Sequence, residues 1–588
     1  MPDLISILQA PLAAAFEKLG LEPVLGAARR ADRPDLGDFQ CNGALAGAKK
    51  AQKPPRELAQ MVVEQLAGNP LFSDISIAGP GFINLRLADT ILNARANDIA
   101  GDARNGASKV EMPRNVIVDY AGPNIAKPMH VGHLRATIIG DSIKRLFRFR
   151  GDQVWGDAHF GDWGFQIGLL ISALEAERPD LPFFTLASGP YPSEPIPGWG
   201  LAELEAIYPR VAARAKEDPI WRDKARKATA ELQAGRPGFR AIWQNLREQT
   251  MANLKLEFRE LGVDFDLWNG ESDADPLIPD MIADLRAKGL LVADQGAEIV
   301  AVAQPGDKKS IPPLIVVSSE GSSMYGTTDL ATLVQRKRDQ DPDLVLYCVD
   351  QRQADHFEQV FRAATLAGYF ERQQMEHLGF GTMNGADGKP FKTREGGVMP
   401  LRALIEQTRH KARERVKESG IMDRLGLEEG VAIANKVANA AIKFADLSSV
   451  RTQNYVFDLD QFMSFEGRTG PYLLYAAVRI QSLLRRAEEA GQQQGPILIT
   501  DKSERDLILI HDQFDQALRN AYEERMPHHI AEFAYNLAQG FSSFYAACPI
   551  QVETDADKRA SRLRLSDVTL RQLRTSLELL GIDIPARM

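Results

Sequence analysis

Cysteine is scarce in this chain: three in 588 residues, at positions 41, 348 and 548. They lie far apart, and no pair has metal-binding or redox spacing. This excludes a disulfide-stapled scaffold and a cysteine-based zinc site. No apolar run approaches the roughly 20 residues that a bilayer span needs, and the N-terminus lacks a charged-then-apolar secretory pattern. A cytoplasmic protein without a membrane anchor is expected. Positive charge is not in excess either. Lys and Arg number 70 against 79 Asp and Glu, a formal net charge of −9, which argues globally against nucleic acid as a partner. Global charge is weak evidence, because steering depends on where charges sit. The local clusters Lys144 to Arg150, Arg409 to Lys417 and Arg559 to Arg564 are therefore permissive only. Repeats and low-complexity tracts are absent too.

What remains is an ordinary globular composition, 44% hydrophobic and 25% charged. The length exceeds what one core supports, so three or four domains are expected. Leu4 to Leu19 carries apolar residues at helical spacing. Phe82 to Leu87, after a Gly/Pro turn, alternates as a strand. A small α/β domain is read over 1–108, closing on the polar stretch Gly101 to Ser108. From there strands alternate with helices, which implies βαβ units and a parallel, nucleotide-binding (Rossmann-type) sheet over 109–400. The alternation lapses over about 175–310, read as an inserted segment of long polar helices with no strand between them. Leu314 to Val317 and Leu344 to Val349 read as buried strands resuming the fold. Helical periodicity then dominates, with a connector over 401–454 and an all-α bundle over 455–588. Phe533, Leu537, Phe541 and Phe544 form a core stripe there.

The central stretch runs from Asp119 to His133. It follows the β-branched run Asn115 to Val118, a buried strand, and precedes a helix beginning near Leu134. His130, Gly132 and His133 thus sit where a strand turns into a helix, a position with unpaired backbone N–H groups and a positive helix end suited to phosphate. Two other readings stand beside this one. The turn could simply be a surface loop with two histidines, or a metal site, but no acidic or cysteine ligand lies at helical spacing from the pair. No metal ligand set is expected. About 260 residues later, Lys389 and Lys392 stand three apart in a segment bracketed by glycines, which describes a mobile loop able to bring two ammonium groups together, or an exposed basic hairpin.

Taken together, the motifs resemble the class I aminoacyl-tRNA synthetases, whose signatures are His-Ile-Gly-His and Lys-Met-Ser-Lys-Ser. Within that class the chain is similar to the arginyl-tRNA synthetases. The similarity rests on Pro123 to Arg135, Gly161-Asp162-Trp163-Gly164, Tyr325, Thr327 and Asp329, Lys389 to Thr393, Pro471 to Ala476 and the end Leu580 to Met588. Gly37 to Asn42 fits that family's leading domain. The second signature departs from the family's: it reads Lys-Pro-Phe-Lys-Thr, with both lysines kept.

The resemblance implies a two-step reaction. Arginine's carboxylate attacks the α-phosphorus of ATP, pyrophosphate leaves, and the arginyl group passes to the terminal adenosine of tRNA(Arg). It assigns catalysis to His130, His133, Lys389 and Lys392, with Mg²⁺ neutralising further phosphate charge. ATP would meet Pro123, Asn124, Lys127, His130, Gly132, His133, Met383, Lys389 and Lys392. Arginine would meet Asp119, Asn124, His133, Glu271, Tyr325, Asp329 and Gln353, since a planar guanidinium fork calls for carboxylates. The bundle would hold the anticodon arm and the leading domain the tRNA's outer corner. A monomer is expected. A small-metabolite adenylyltransferase and a non-catalytic RNA-binding relative are the alternatives. The first would not need the last third of the chain, and the second would not need the intact histidines, lysines and Asp329.

Overall fold

Val116, Ile117 and Val118 are buried completely, because the strand that carries them lies inside a parallel sheet with packed faces. The computed structural model describes residues 3–127, 129–318, 324–385, 387–389 and 399–588, with the backbone alone at 201, 202 and 205. The leading domain opens with α1 (Leu4–Lys18), capped by Asp3. It adds an antiparallel sheet of order β1 (Ala28–Arg30), β2 (Phe39–Cys41), β4 (Phe82–Leu87), β3 (Phe72–Ala78), with α2 (Gly43–Ala51), α3 (Pro55–Gln65) and α4 (Asp89–Gly101) packed around it.

The central sheet is built from β5 (Asn115–Asp119), β6 (Gln153–Asp157), β10 (Leu344–Tyr347) and β11 (Met375–His377) in the order β11-β10-β5-β6, all parallel. The chain leaves β5 toward β6 and later returns on the other side, so β5 and β10 flank the point where strand order reverses. Open α/β sheets bind ligands beyond the carboxyl ends of such a pair. The loops there are 120–130 and 348–353. α5 (Val131–Arg150) follows β5 and ends at Gly151, whose φ of 112° needs a residue without a side chain.

Within the insertion, α6 (Phe165–Glu177), the short α7 (Pro182–Thr185), α8 (Leu201–Glu217), α9 (Pro219–Gln233) and α10 (Pro237–Glu260) pack into a core of their own. They are followed by α11 (Glu271–Ala274) and α12 (Ile278–Ala287). Here two expectations fail. The stretch to 310 does hold strands: β7 (Leu291–Asp294) and β8 (Ala297–Val300) form a hairpin. Leu314 to Val317, expected to resume the parallel sheet, is instead β9, antiparallel to β8. Its alternating burial, with Ile315 40% exposed, shows why. It is a half-covered antiparallel strand, and four apolar residues in a row do not reveal that.

α13 (Tyr325–Asp339) and α14 (Ala354–Leu366) flank β10, and β12 (Met383–Asn384) pairs with β13 (Tyr455–Val456). The rest is helical: α15 (Leu401–Glu418), α16 (Ile421–Leu425), α17 (Leu427–Leu447), α18 (Leu459–Phe462), α19 (Gly470–Glu489), α20 (Lys502–His511), α21 (Phe514–Glu524), α22 (His528–Ala547) and α23 (Ala556–Leu579). Between α20 and α21 the helical run breaks at Asp512. That carboxylate turns inward to accept from Arg95 at 2.8 Å and Arg30 at 2.9 Å, both in the leading domain. Arg505 likewise donates to Asp38 at 2.6 and 2.7 Å and to Asp89 at 3.0 Å. The first and last domains are thus pinned by buried ion pairs. Two of the basic clusters are spent on structure rather than on a surface patch. Lys144 and Arg150 are buried against Asp141 and Asp515, and Arg562 against Glu504 and Glu553.

Candidate functional site

The two histidines cap their own helix. His130 is extended and precedes α5; its Nδ1 accepts the N–H of Gly132 at 3.1 Å, and the Nδ1 of His133 accepts the N–H of His130 at 3.1 Å. Since each Nδ1 accepts, each neutral ring carries its hydrogen on Nε2. The rings lie 4.0 Å apart at 38°. Burial, with the neighbouring Lys127, depresses the pKa of His130, and burial drives His133 down to about 3. Both are uncharged donors at neutral pH. Gly132 is required by this cap, since a Cβ there would stand 2.8 Å from His130 Cε1 and 2.9 Å from Nδ1.

Lys389 is exposed at the end of a turn in which Gly385 N–H donates to Lys389 O at 2.8 Å and Gly388 takes a φ of 71°. Lys392, with Pro390, Phe391 and Thr393, lies outside the described residues. The far side of that segment is anchored beside the histidines: Val131 N–H donates to Met399 O at 3.1 Å, Leu401 N–H to Met129 O at 2.9 Å, and His130 bridges Pro400. The chain that carries the lysines therefore returns to the histidine turn. Lys127 sits half-buried, its Nζ 5.6 Å from the ring of Tyr208 on α8.

A second cluster is acidic. Glu271 opens α11, and Trp163 N–H donates to its Oε2 at 3.4 Å. Asp162 fixes this corner by accepting Ser272 N–H at 2.9 Å and Ser272 Oγ–H at 2.6 Å, with Arg247 at 3.1 Å. A side chain on Gly270 would collide with that carboxylate. Asp329 and Tyr325 share the first turns of α13. Burial, then the charges of Asp329 and Asp162, push Glu271 up to about 8. The charge of Asp329 first, then burial, Glu271 and Asp119, raise the Tyr325 phenol. Asp119, Asp162, Glu271 and Asp329, from four separate stretches of the chain, thus bear on one another or on the Tyr325 phenol.

Asp119, at the end of β5, is not a lone carboxylate. Its Oδ2 accepts from Arg336 Nη2 at 2.5 Å, and the same nitrogen donates to Asp157 at 2.8 Å. Burial raises its pKa against the pull of Arg336. Asn124 is held by Gln166, whose amide donates to Asn124 Oδ1 at 3.1 Å, and Pro123 O accepts from Gly161 N–H at 3.0 Å. Gln353 is exposed at the start of α14. Met383 is 5% exposed and packs in the main core. Sequence reasoning missed Arg336, seven residues after Asp329 on the same helix, and His356, which meets Asp329 across 27 positions without any spacing signal.

Some distance along the chain, a cavity of about 570 Å³ opens among α16, α19, α22 and the last residue, lined by Tyr472, Tyr475, Arg479, Phe541 and Met588. Tyr475 is 51% exposed, and Arg479 lies 4.4 Å over the ring of Tyr545. Among the described residues no helix is long and apolar enough to cross a membrane.

Family models match nearly the whole chain: "Arginyl tRNA synthetase N terminal domain" over residues 3–87, "tRNA synthetases class I (R), catalytic domain" over 97–459, and "DALR anticodon binding domain" over 473–588. The chain is 52% identical to an arginine–tRNA ligase of Maricaulis maris and 49% identical to one of Hyphomonas neptunium, with all of each chain covered. Its fold superposes on the arginyl-tRNA synthetase of Plasmodium falciparum with a TM-score of 0.79 at 23% identity, again over the full length of both. The chain belongs to the arginine–tRNA ligases of the class I tRNA synthetases.

Proposed function

We propose that the chain activates L-arginine with ATP and transfers it to tRNA(Arg), with both small substrates seated beyond the carboxyl ends of β5 and β10. The observation that carries this reading is that the turn after β5 presents uncharged imidazole donors at a helix N-terminus, while Asp119, which ends β5, bears with Glu271 and Asp329 on the Tyr325 phenol. The first suits a polyphosphate, and the second suits a cation.

ATP's phosphates lie at the positive end of α5, where His130 and His133 donate from Nε2. Transfer at phosphorus relies mainly on positioning and on stabilising charge on the phosphate oxygens. Two donors fixed by backbone bonds need no reorganisation to do this. Lys127, Lys389 and Lys392 supply positive charge to the departing pyrophosphate, while Pro123, Asn124 and Met383 border the nucleotide. Mg²⁺ enters bound to ATP as its substrate complex, since the turn itself presents imidazole and ammonium groups rather than the oxygen ligands that Mg²⁺ requires.

Asp329 and Glu271 meet the guanidinium, with Tyr325 at the rim. Asp119, through the oxygen that Arg336 leaves unused, holds the α-ammonium with Asn124, His133 and Gln353. The domain bounds follow the chemistry: 1–108 touches the outer corner of the tRNA, 109–400 activates arginine, 401–454 connects, and 455–588 holds the anticodon arm. There the tyrosine- and arginine-lined cavity ending in Met588 fits an unstacked base, which rings and guanidinium planes grip by stacking. The protein works as a cytoplasmic monomer.

Arginine-dependent exchange of pyrophosphate into ATP, measured with and without tRNA(Arg), tests the activation step. Absence of exchange under both conditions, in a protein that still binds tRNA, would overturn the reading. The same measurement shows whether activation requires tRNA.

A further inference from the structure

His356, in the first turn of α14, places Nε2 2.5 Å from Asp329 Oδ2. Its ring is locked in place, with centroids 4.8 Å from Tyr325 and 5.4 Å from Phe357. Phe357 in turn stacks on His377 of β11 at 5.3 Å and 19°. An ionised carboxylate can only accept, so Nε2 carries the hydrogen and donates. Among the described residues, Asp329 Oδ1 receives no protein donor. One oxygen of Asp329 is tethered and the other is left for a ligand.

We propose that His356 is a positioning residue for arginine selectivity. By holding Oδ2 from α14, it sets the plane of the Asp329 carboxylate. The inference rests on the reading of Asp329 as the guanidinium acceptor. A guanidinium is planar and binds well only when its two N–H vectors lie in the carboxylate plane, whereas an ammonium is a point charge indifferent to that plane. A carboxylate that rotates freely would therefore lose arginine affinity while keeping what attraction it has for lysine. The contacting rings from Tyr325 through His356 and Phe357 to His377 brace the tether, joining α13, α14 and β11.

The test uses the full-length enzyme with tRNA(Arg) present. His356→Ala should raise the arginine KM about tenfold, the loss of one charge-assisted hydrogen bond, with kcat and the ATP KM within about twofold. L-lysine as a competitive inhibitor should be weakened by less than about twofold. His356→Gln, whose amide reaches the place of Nε2, should recover most of the loss. Asp329→Ala should raise the arginine KM further, and adding His356→Ala to it should do nothing more, because the histidine acts through Asp329. An unchanged arginine KM in His356→Ala, a glutamine no better than alanine, or losses that multiply in the double variant would each overturn the inference alone. An unchanged KM in Asp329→Ala would overturn the pocket reading and the inference with it.

Discussion

His130 and His133 are held by backbone groups within three residues of themselves, whereas the acidic pocket draws on positions 119, 271, 325, 329 and 356. The anion site is local and electrically quiet, made of neutral rings and a helix end. The cation site is assembled across the fold, where burial, then repulsion from Asp329 and Asp162, lifts Glu271 to about 8. A phosphate site needs donors, which any helix N-terminus supplies. A guanidinium site needs negative charge with no protein cation in the way. Asp119 shows the opposite arrangement: its Arg336 partner sits 2% exposed between two aspartates, so much of its charge is already answered.

The sharpest way to break the contrast is at the local site. His133→Ala removes a donor to ATP and the acceptor that caps His130 N–H. Pyrophosphate exchange should fall about 10²- to 10³-fold, as when one preorganised donor to a developing charge is lost, while the lost cap lowers unfolding stability by only about 1 kcal/mol. Exchange within threefold of the parent would remove His133 from the chemistry. At the assembled site, Asp329→Ala should raise the arginine KM roughly 30- to 100-fold, as expected for a lost bond between two charged groups. The ATP KM should not move. Equal shifts in both constants would mean that the two sites are not separable.

This asymmetry also decides what the sequence could reveal. The strand–turn–helix around His130 was legible because its cause is local: β-branched residues, then a glycine-containing turn, then helical periodicity. Family motifs carried Glu271 and Asp329 into the pocket, but nothing in their spacing says that they face each other. His356 and Arg336 left no trace, because partners brought together by sheet order have no sequence period. The same limit explains β9. Leu314 to Val317 is apolar enough for a buried parallel strand, and only its pairing with β8 shows that one face meets solvent. β11, three residues long and carrying Glu376 and His377, fell below any pattern yet forms an edge of the catalytic sheet.

The raised carboxyl of Glu271 turns the comparison into a pH dependence. With its pKa near 8 against an ordinary value of 4.5, Glu271 is mostly protonated at pH 7, and an arriving guanidinium must displace that proton. The arginine KM should therefore fall as pH rises, by roughly tenfold between pH 7 and 9 if only the ionised form binds. The sign for folding is the reverse. The folded state holds the proton more tightly than the unfolded chain, so this group's contribution is fully present below about pH 4.5 and is lost as pH rises through about 8. Glu271→Gln should abolish the KM slope and remove that loss, leaving a variant more resistant to urea than the parent at pH 9. A KM slope that survives in Glu271→Gln would place the titrating group elsewhere.

The smallest effect probes where the two sites meet the insertion. Among the described residues, the charge of Lys127 acts on both histidines, and its described contact is the face of Tyr208 on α8. A half-exposed cation–π contact contributes about 0.5–1 kcal/mol, so Tyr208→Leu should raise the ATP KM two- to fivefold, by roughly that energy, and leave the arginine KM alone. Lys127→Met should raise it further, and the double variant should match Lys127→Met alone, because the ring acts only by holding the ammonium. If Tyr208→Leu instead shifts the arginine KM, α8 reaches the acidic pocket, and the separation between a local anion site and an assembled cation site breaks down at that helix.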